Sequence, residues 1–228
     1  MKVPPVDSPC DRINAVALLL AAADPALPAL ACGDERMCYG ELRGAVALAG
    51  AAWLDCEVKP GELVLVRARQ DIEHAVAFLG AVWAGAVPMP LASPSDHLAR
   101  HPALRVRFVL DLTRGGHADR WRDHVMTLAE WRMYLALSRP AGAVAVPPES
   151  AACWTEARRD GGGARLLAHR FALTASSRPS RTACESVAVT GALGMLRVLR
   201  RGSCAVLGAR AAPWPTEPLR GRQELVLP

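Results

Sequence analysis

Aromatic side chains are scarce in this sequence. They make up 5% of its 228 residues, whereas apolar residues as a whole make up 51%. A chain this apolar can bury a substantial core, which excludes disorder over its whole length. Because alanine, leucine, valine and glycine dominate, the core has to be built from small aliphatic side chains. This composition is typical of layered α/β folds.

Lysine is also nearly absent. Of the 27 basic residues only Lys2 and Lys59 are lysines, and the net charge of +5 is unevenly placed. Residues 1–138 hold 14 basic and 16 acidic side chains (−2), and residues 139–228 hold 13 and 6 (+7). A basic second half suits a polyanion such as nucleic acid, ATP or CoA, or it is a solvated surface in an arginine-rich protein. No helix-turn-helix, zinc-finger or RNP pattern occurs, so we expect no nucleic-acid partner.

The sequence has neither paired cysteine motifs nor a long hydrophobic run. Its seven cysteines are odd in number and form no C-x-x-C pair, which favours reduced thiols in a cytoplasmic protein. The apolar stretch at residues 15–23 is too short to span a bilayer. Asp7 and Asp11 precede it, unlike the basic start of a signal peptide. We therefore expect a cytoplasmic protein with no membrane association.

The hydrophobic pattern predicts an α/β protein with a mostly parallel sheet and helices on both of its faces. We expect a loose N-terminal arm over residues 1–13, an α/β subdomain over 14–138, a linker over 139–149 and an incomplete second α/β subdomain over 150–228. The predicted helices are residues 15–23 (capped by Asn14), 41–55, 72–84 (capped by Asp71 and closed by Gly85), 94–100 and 114–138. The predicted strands are residues 29–32 and 37–39 (a hairpin), 63–66, 86–91 and 106–110.

Three patterns occur in order along the first subdomain. They read YGEL at residues 39–42, VKPGELV at 58–64 and AFLGAVWAGAVPMP at 77–90. Their order and spacing resemble the N-terminal region of the AMP-forming acyl-adenylating superfamily, which comprises acyl- and aryl-CoA ligases, luciferases and peptide-synthetase adenylation domains. The spacing is closest to that of benzoate-type CoA ligases. In that family these patterns serve packing and turns, and they carry no catalysis.

The second subdomain resembles the family's strand, phosphate loop and exit from that loop. ACWTE at residues 152–156 is followed by a glycine loop and by LLAHR at 166–170. Further on, residues 190–206 resemble the family's helix followed by a strand, a likeness carried by Gly202 and Leu207. The family loop is rich in Ser, Thr and Gly and ends in Pro-Lys. Its glycines bring backbone N–H groups to the phosphates, its hydroxyls donate to phosphate oxygens and its lysine adds a point charge. The residues that stand at the matching positions for ATP are Gly161, Gly162, Gly163 and Arg165.

The loop at residues 157–165 is degenerate. It has no hydroxyl, Asp160 places a negative charge where phosphates would lie, and Arg165 replaces the lysine. It is either a weakened anion site for ATP and Mg²⁺ or a glycine loop without a ligand. The resemblance places the family's ribose ligand, metal-binding glutamate and catalytic lysine downstream of this region, so we assign no catalytic residue.

Three interpretations remain. The chain is a truncated relative that does not adenylate alone and acts as a non-catalytic partner of a complete ligase or carrier protein. Alternatively, it is a ligase part that activates an acyl or aryl carboxylate together with a separate C-terminal polypeptide, or it is a decaying gene product. Uncovered strand edges of an incomplete subdomain also predict self-association.

Histidines and tryptophans offer two further candidates. His97 and His101 have the four-residue spacing of metal ligands, but no third ligand lies near them in sequence, which favours surface histidines. His169 matches a histidine that the family keeps after its loop, and we expect a packing role for it. Apolar residues of the predicted 118–137 helix form either core or a partner-docking stripe: Trp121, Leu128, Trp131 and Met133.

Overall fold

The described part of the chain contains five helices and ten strands. The structure, a computed structural model, describes residues 12–67, 71–91, 106–112, 125–157, 163–172, 186–189 and 191–208. The helices are α1 (Ala15–Ala21), α2 (Tyr39–Asp55), α3 (Ile72–Trp83), α4 (Leu128–Leu137) and α5 (Gly191–Arg200), and a 3-10 helix covers His169–Ala172. The strands are β1 (Pro28–Cys32), β2 (Glu35–Cys38), β3 (Leu63–Arg67), β4 (Val87–Leu91), β5 (Val106–Asp111), β6 (Val125–Thr127), β7 (Ala151–Ala157), β8 (Gly163–Ala168), β9 (Ser186–Ala188) and β10 (Cys204–Leu207).

A four-stranded parallel sheet has the order β4-β3-β5-β6. Its central strand β3 is buried at Leu63–Val66, as expected for a continuous apolar run that is covered on both faces. Strand β3 is followed along the chain by helix α3 and then by strand β4, which runs parallel to β3. The predicted α/β class and its parallel crossovers are confirmed.

A second sheet joins the two ends of the described chain. Its order is β2-β1-β10-β9, with β1 antiparallel to β2 and parallel to β10. Leu30 in β1 is paired with Ala205 in β10, so strands from both predicted subdomains share one sheet. The boundary that we expected at residues 139–149 therefore does not coincide with a boundary between sheets.

Helices α2 and α3 pack against each other at glycines. A Cβ atom added to Gly80 would lie 2.5 Å from the Cβ of Ala49 and 3.0 Å from the backbone of Ala49 and Gly50. A Cβ atom added to Gly50 would likewise lie 2.5 Å from the ring of Trp83. Gly80 in the AFLGAVWAGAVPMP pattern therefore has a packing role, because a side chain at this position would not let the two helices approach this closely. Gly85 then ends α3 with a φ of 78°, which glycine adopts without strain.

The region before residue 138 differs from its prediction. Residues 125–127 form β6 rather than helix, because Val109, Leu110 and Asp111 pair with them as a parallel neighbour. Of the two alternatives for Trp131, the structure supports core packing, because this residue is fully buried and its ring lies 5.0 Å from the Trp53 ring, centroid to centroid. Met133 does face solvent, at 51% exposure. Trp121, the predicted helix 94–100 and residues 114–124 lie outside the described residues.

Asn14 joins three segments of the chain: the start of α1, the end of α3 and the segment around Val144. Its Oδ1 accepts hydrogen bonds from the N–H groups of Val16 and Ala17, so it caps α1 as predicted. Its Nδ2 donates to the carbonyls of Val82 (2.8 Å) and Trp83 (3.1 Å) at the end of α3, and to Val144 (2.9 Å). The predicted linker is thereby held in place. Its Val146 pairs with Ile13, a residue that we had placed in the loose arm.

We expect Asn14→Asp to lower the free energy of unfolding by about 2–4 kcal/mol, measured by urea denaturation. The carboxylate would keep the cap acceptor of α1. It would also lose both N–H donors and place a buried charge against three carbonyl oxygens. Asp71→Asn, at the cap of α3, is the matched control and should cost less than about 1 kcal/mol, because Asn and Asp cap equally well. Equal losses for the two variants would contradict the role that we assign to Asn14.

Gly80→Ala should destabilise the protein by roughly 1–3 kcal/mol, since the added methyl group overpacks the α2–α3 contact. Helix propensity alone predicts the opposite sign. Gly44→Ala in α2 is the control, because a Cβ there meets nothing within 4 Å. That variant should be neutral or stabilised by up to about 1 kcal/mol in thermal unfolding. A stabilised Gly80→Ala protein would show that the helices are not in close contact.

Candidate functional site

The predicted phosphate loop lies at the tip of the β7–β8 hairpin. These antiparallel strands pair from Ala151 opposite Ala168 to Ala157 opposite Gly163. The connection between the two strands therefore comprises residues 158–162. It is shorter than the loop of residues 157–165 that we expected. The reason is that residues 163–165 continue the ladder of β8 instead of leaving the sheet.

Two of the four predicted anion-binding residues belong to the strand. Gly163 is opposite Ala157 and Arg165 is opposite Thr155. A residue in a ladder is held extended, whereas a phosphate-binding nest needs successive N–H groups that converge on one point. Gly161 and Gly162 lie outside the described residues. Binding of ATP by these four residues remains a prediction.

The base of the hairpin is fixed on both sides. Ala152 and Cys153 are buried in the main core together with α1, α2 and α3. Trp154 packs against a second hydrophobic cluster, which contains Leu65 and Met89 of the parallel sheet. The strands that carry the predicted site are thus anchored independently of any ligand.

His169 fastens the exit of the hairpin to α1. Its side chain is fully buried, and its Nδ1 accepts a hydrogen bond of 3.0 Å from the backbone N–H of Ala15. That bond satisfies one of the free N–H groups at the start of the helix. Burial lowers the pKa of His169 to about 4, so the ring is neutral and carries its proton on Nε2. The packing role that we expected for His169 agrees with these contacts.

A partly buried ion pair that the sequence analysis did not identify lies at the carboxyl edge of the parallel sheet. Arg67 ends β3 and Asp111 ends β5, and their side chains meet at 3.0 Å. Ligands of open α/β sheets bind at this edge, but these two charges neutralise each other. The sequence does contain a signal that could have indicated this pair: a charged residue directly follows each of two buried apolar runs.

The other predictions from the sequence concern metal ligands and membrane association. Among the described residues no group of three His, Cys, Asp or Glu side chains could hold a metal ion. The pair His97 and His101 lies outside that part of the chain. None of the helices within the described ranges is both long and apolar enough to cross a membrane.

The buried, neutral His169 predicts a pH-dependent stability. Its pKa is about 4 when folded and about 6.5 when unfolded, so its contribution is complete above pH 6.5 and is lost as the pH falls towards 4. Between pH 7 and pH 4.5 the wild-type free energy of unfolding should fall by roughly 2 kcal/mol more than that of His169→Asn. Asparagine keeps an acceptor for Ala15, and other titrating groups cancel in the comparison. Parallel pH curves from urea denaturation would contradict the assignment.

The sequence matches no protein-family model and no curated protein. The structure, in contrast, is similar to many solved structures. An anthranilate CoA ligase, AuaEII in complex with anthranoyl-AMP, superposes with a TM-score of 0.72 at 17% identity over 90% of this chain and 45% of the ligase. A benzoate CoA ligase from Burkholderia xenovorans LB400 has a TM-score of 0.66 at 19% identity, with 87% and 46% covered.

The N-terminal subdomain of Klebsiella oxytoca NpsA is a third example. Its TM-score is 0.68 at 15% identity, and the match covers 89% of this chain and 57% of the subdomain. This chain therefore spans about half the length of the structures that it resembles. The region that matches is the one that the sequence patterns indicated. The chain has the fold of the N-terminal region of the AMP-forming acyl- and aryl-CoA ligases, the acyl-adenylating superfamily.

Proposed function

We propose that this protein does not adenylate a carboxylate by itself and acts as a non-catalytic partner in an acyl-activation pathway. The observation that carries the proposal is the register of the β7–β8 hairpin. Pairing up to Ala157 and Gly163 leaves five residues for a loop, and none of those five is Ser or Thr. Hydroxyl donors to phosphate oxygens are therefore lacking at the predicted position.

The charges of that loop support the same proposal. The connection contains Arg158, Arg159 and Asp160 followed by two glycines. A carboxylate repels a triphosphate at close range, and two neighbouring arginines offset it only in part. Adenylation also needs a carboxylate substrate, ATP and Mg²⁺ held in one geometry. The match to the anthranilate ligase covers 45% of that enzyme.

A second candidate function follows from the same coverage. The chain would supply the N-terminal half of a ligase, and a separate C-terminal polypeptide would supply the rest of the active site. Anthranilate and benzoate ligases are among the similar structures, so aryl carboxylates are the first substrates to test under this alternative. ATP and Mg²⁺ would then bind at the interface of the two polypeptides.

The test is ATP–pyrophosphate exchange with benzoate, anthranilate and a fatty acid. We expect no exchange above a protein-free blank when the protein is assayed alone, because the loop cannot align the triphosphate. The protein should nonetheless co-purify with a complete ligase or a carrier protein encoded next to its gene. A benzoate CoA ligase is the positive control for the assay.

The outcomes separate the two functions. Exchange by the protein alone would overturn the proposal. Exchange that appears only in a mixture with a neighbouring gene product would favour the two-polypeptide ligase. Absence of both exchange and co-purification would remove the partner role.

A further inference from the structure

The last third of the chain has a strongly one-sided charge. Residues 161–216 contain eight arginines and one acidic residue, Glu185. Within the described ranges 163–172, 186–189 and 191–208 there is no Asp or Glu. A local excess of this size creates a positive potential that neighbouring carboxylates of the same region do not cancel.

Helix α5 concentrates this charge on its outer side. Its apolar side chains are buried in the main core, and Arg197 is exposed. Arg201 follows the last turn, four residues further on, and is exposed as well. The core side of the helix is formed by Ala192, Met195, Leu196, Val198 and Leu199.

A third arginine lies beside this helix end. The Arg200 guanidinium donates a hydrogen bond of 3.3 Å to the carbonyl of Phe171, which ties α5 to the 3-10 helix. Arg170 precedes Phe171 and is mostly exposed, with a loose ion pair of 3.6 Å to the equally exposed Glu149. We call Arg170, Arg197 and Arg201 the arginine surface.

Helix electrostatics explain this surface only in part. One cation in the last turn of a helix is favourable because it faces the negative end of the helix dipole. Two like charges four residues apart repel each other. Among the described residues no carboxylate lies within ion-pair distance of Arg197 or Arg201. An external anion would relieve this repulsion.

We propose that the arginine surface docks an acidic α-helix of a partner protein. Carboxylates at four-residue spacing on such a helix match Arg197 and Arg201, and guanidinium groups bind carboxylates through paired N–H donors. The surface is exposed and lies at a helix end, whereas small-molecule sites are concave. Three arginines also offer few contacts compared with the six to ten phosphate contacts of a typical nucleic-acid binder. The inference rests on the proposed partner role and names the surface that serves it.

The test uses a fluorescently labelled alanine-rich helical peptide with glutamates at four-residue spacing, in an anisotropy titration. Arg197→Glu with Arg201→Glu should weaken binding roughly tenfold relative to wild type. The matched control is Arg43→Glu with Arg139→Glu, two exposed arginines on other parts of the surface. Each double variant lowers the net charge from +5 to +1, so a general charge effect acts on both equally. Thermal unfolding of all three proteins checks that they are folded.

Selective weakening in the Arg197 and Arg201 variant supports the docking surface. Equal weakening in both variants, or no binding by the wild type, overturns it. Tighter binding of a single-stranded oligonucleotide that depends on Arg197 and Arg201 would also overturn it, in favour of nucleic acid. The titration requires no ATP, so its failure is distinct from a failure of the proposed function in the exchange assay.

Discussion

The amide of Asn14 is the contact on which the arrangement of the described chain depends. The side chain of Asn14 accepts from the first N–H groups of α1 and donates to the last carbonyls of α3 and to Val144 in the segment after α4. The amide of Asn14 is itself buried, and a buried polar group that loses its partners costs about 1–3 kcal/mol. The next residue, Ala15, donates to His169, so the exit of the hairpin is fastened at the same point.

This network does not depend on the loop between β7 and β8. The hairpin is held by Trp154, Cys153 and His169, and none of these contacts involves residues 158–162. These contacts of the hairpin base with the core therefore do not require hydroxyl groups in that loop. Under our proposal, stability and phosphate binding depend on different residues, so a chain can keep the fold without binding ATP.

The sequence predicted the helices and parallel strands well, because caps and periodicity are local. Asn14 and Asp71 begin their helices where expected, and β3 is the buried strand that its apolar run indicated. It did not predict the pairing of β1 with β10, which depends on residues about 175 positions apart in the chain. It left open whether Trp131 lies in the core, and it did not predict the length of β8, since the Trp131–Trp53 contact and the β7–β8 ladder are set by tertiary neighbours. The Arg67–Asp111 pair required the register of β3 and β5.

The central proposal is that a chain with the N-terminal ligase fold does not bind a triphosphate at residues 157–165. Isothermal titration calorimetry with Mg²⁺-ATP tests this claim directly, since it needs no substrate, partner or turnover. The account predicts no saturable heat of binding at ATP concentrations where a complete ligase of this fold saturates. A saturable one-to-one isotherm in the micromolar range, abolished by Arg165→Ala, would contradict it.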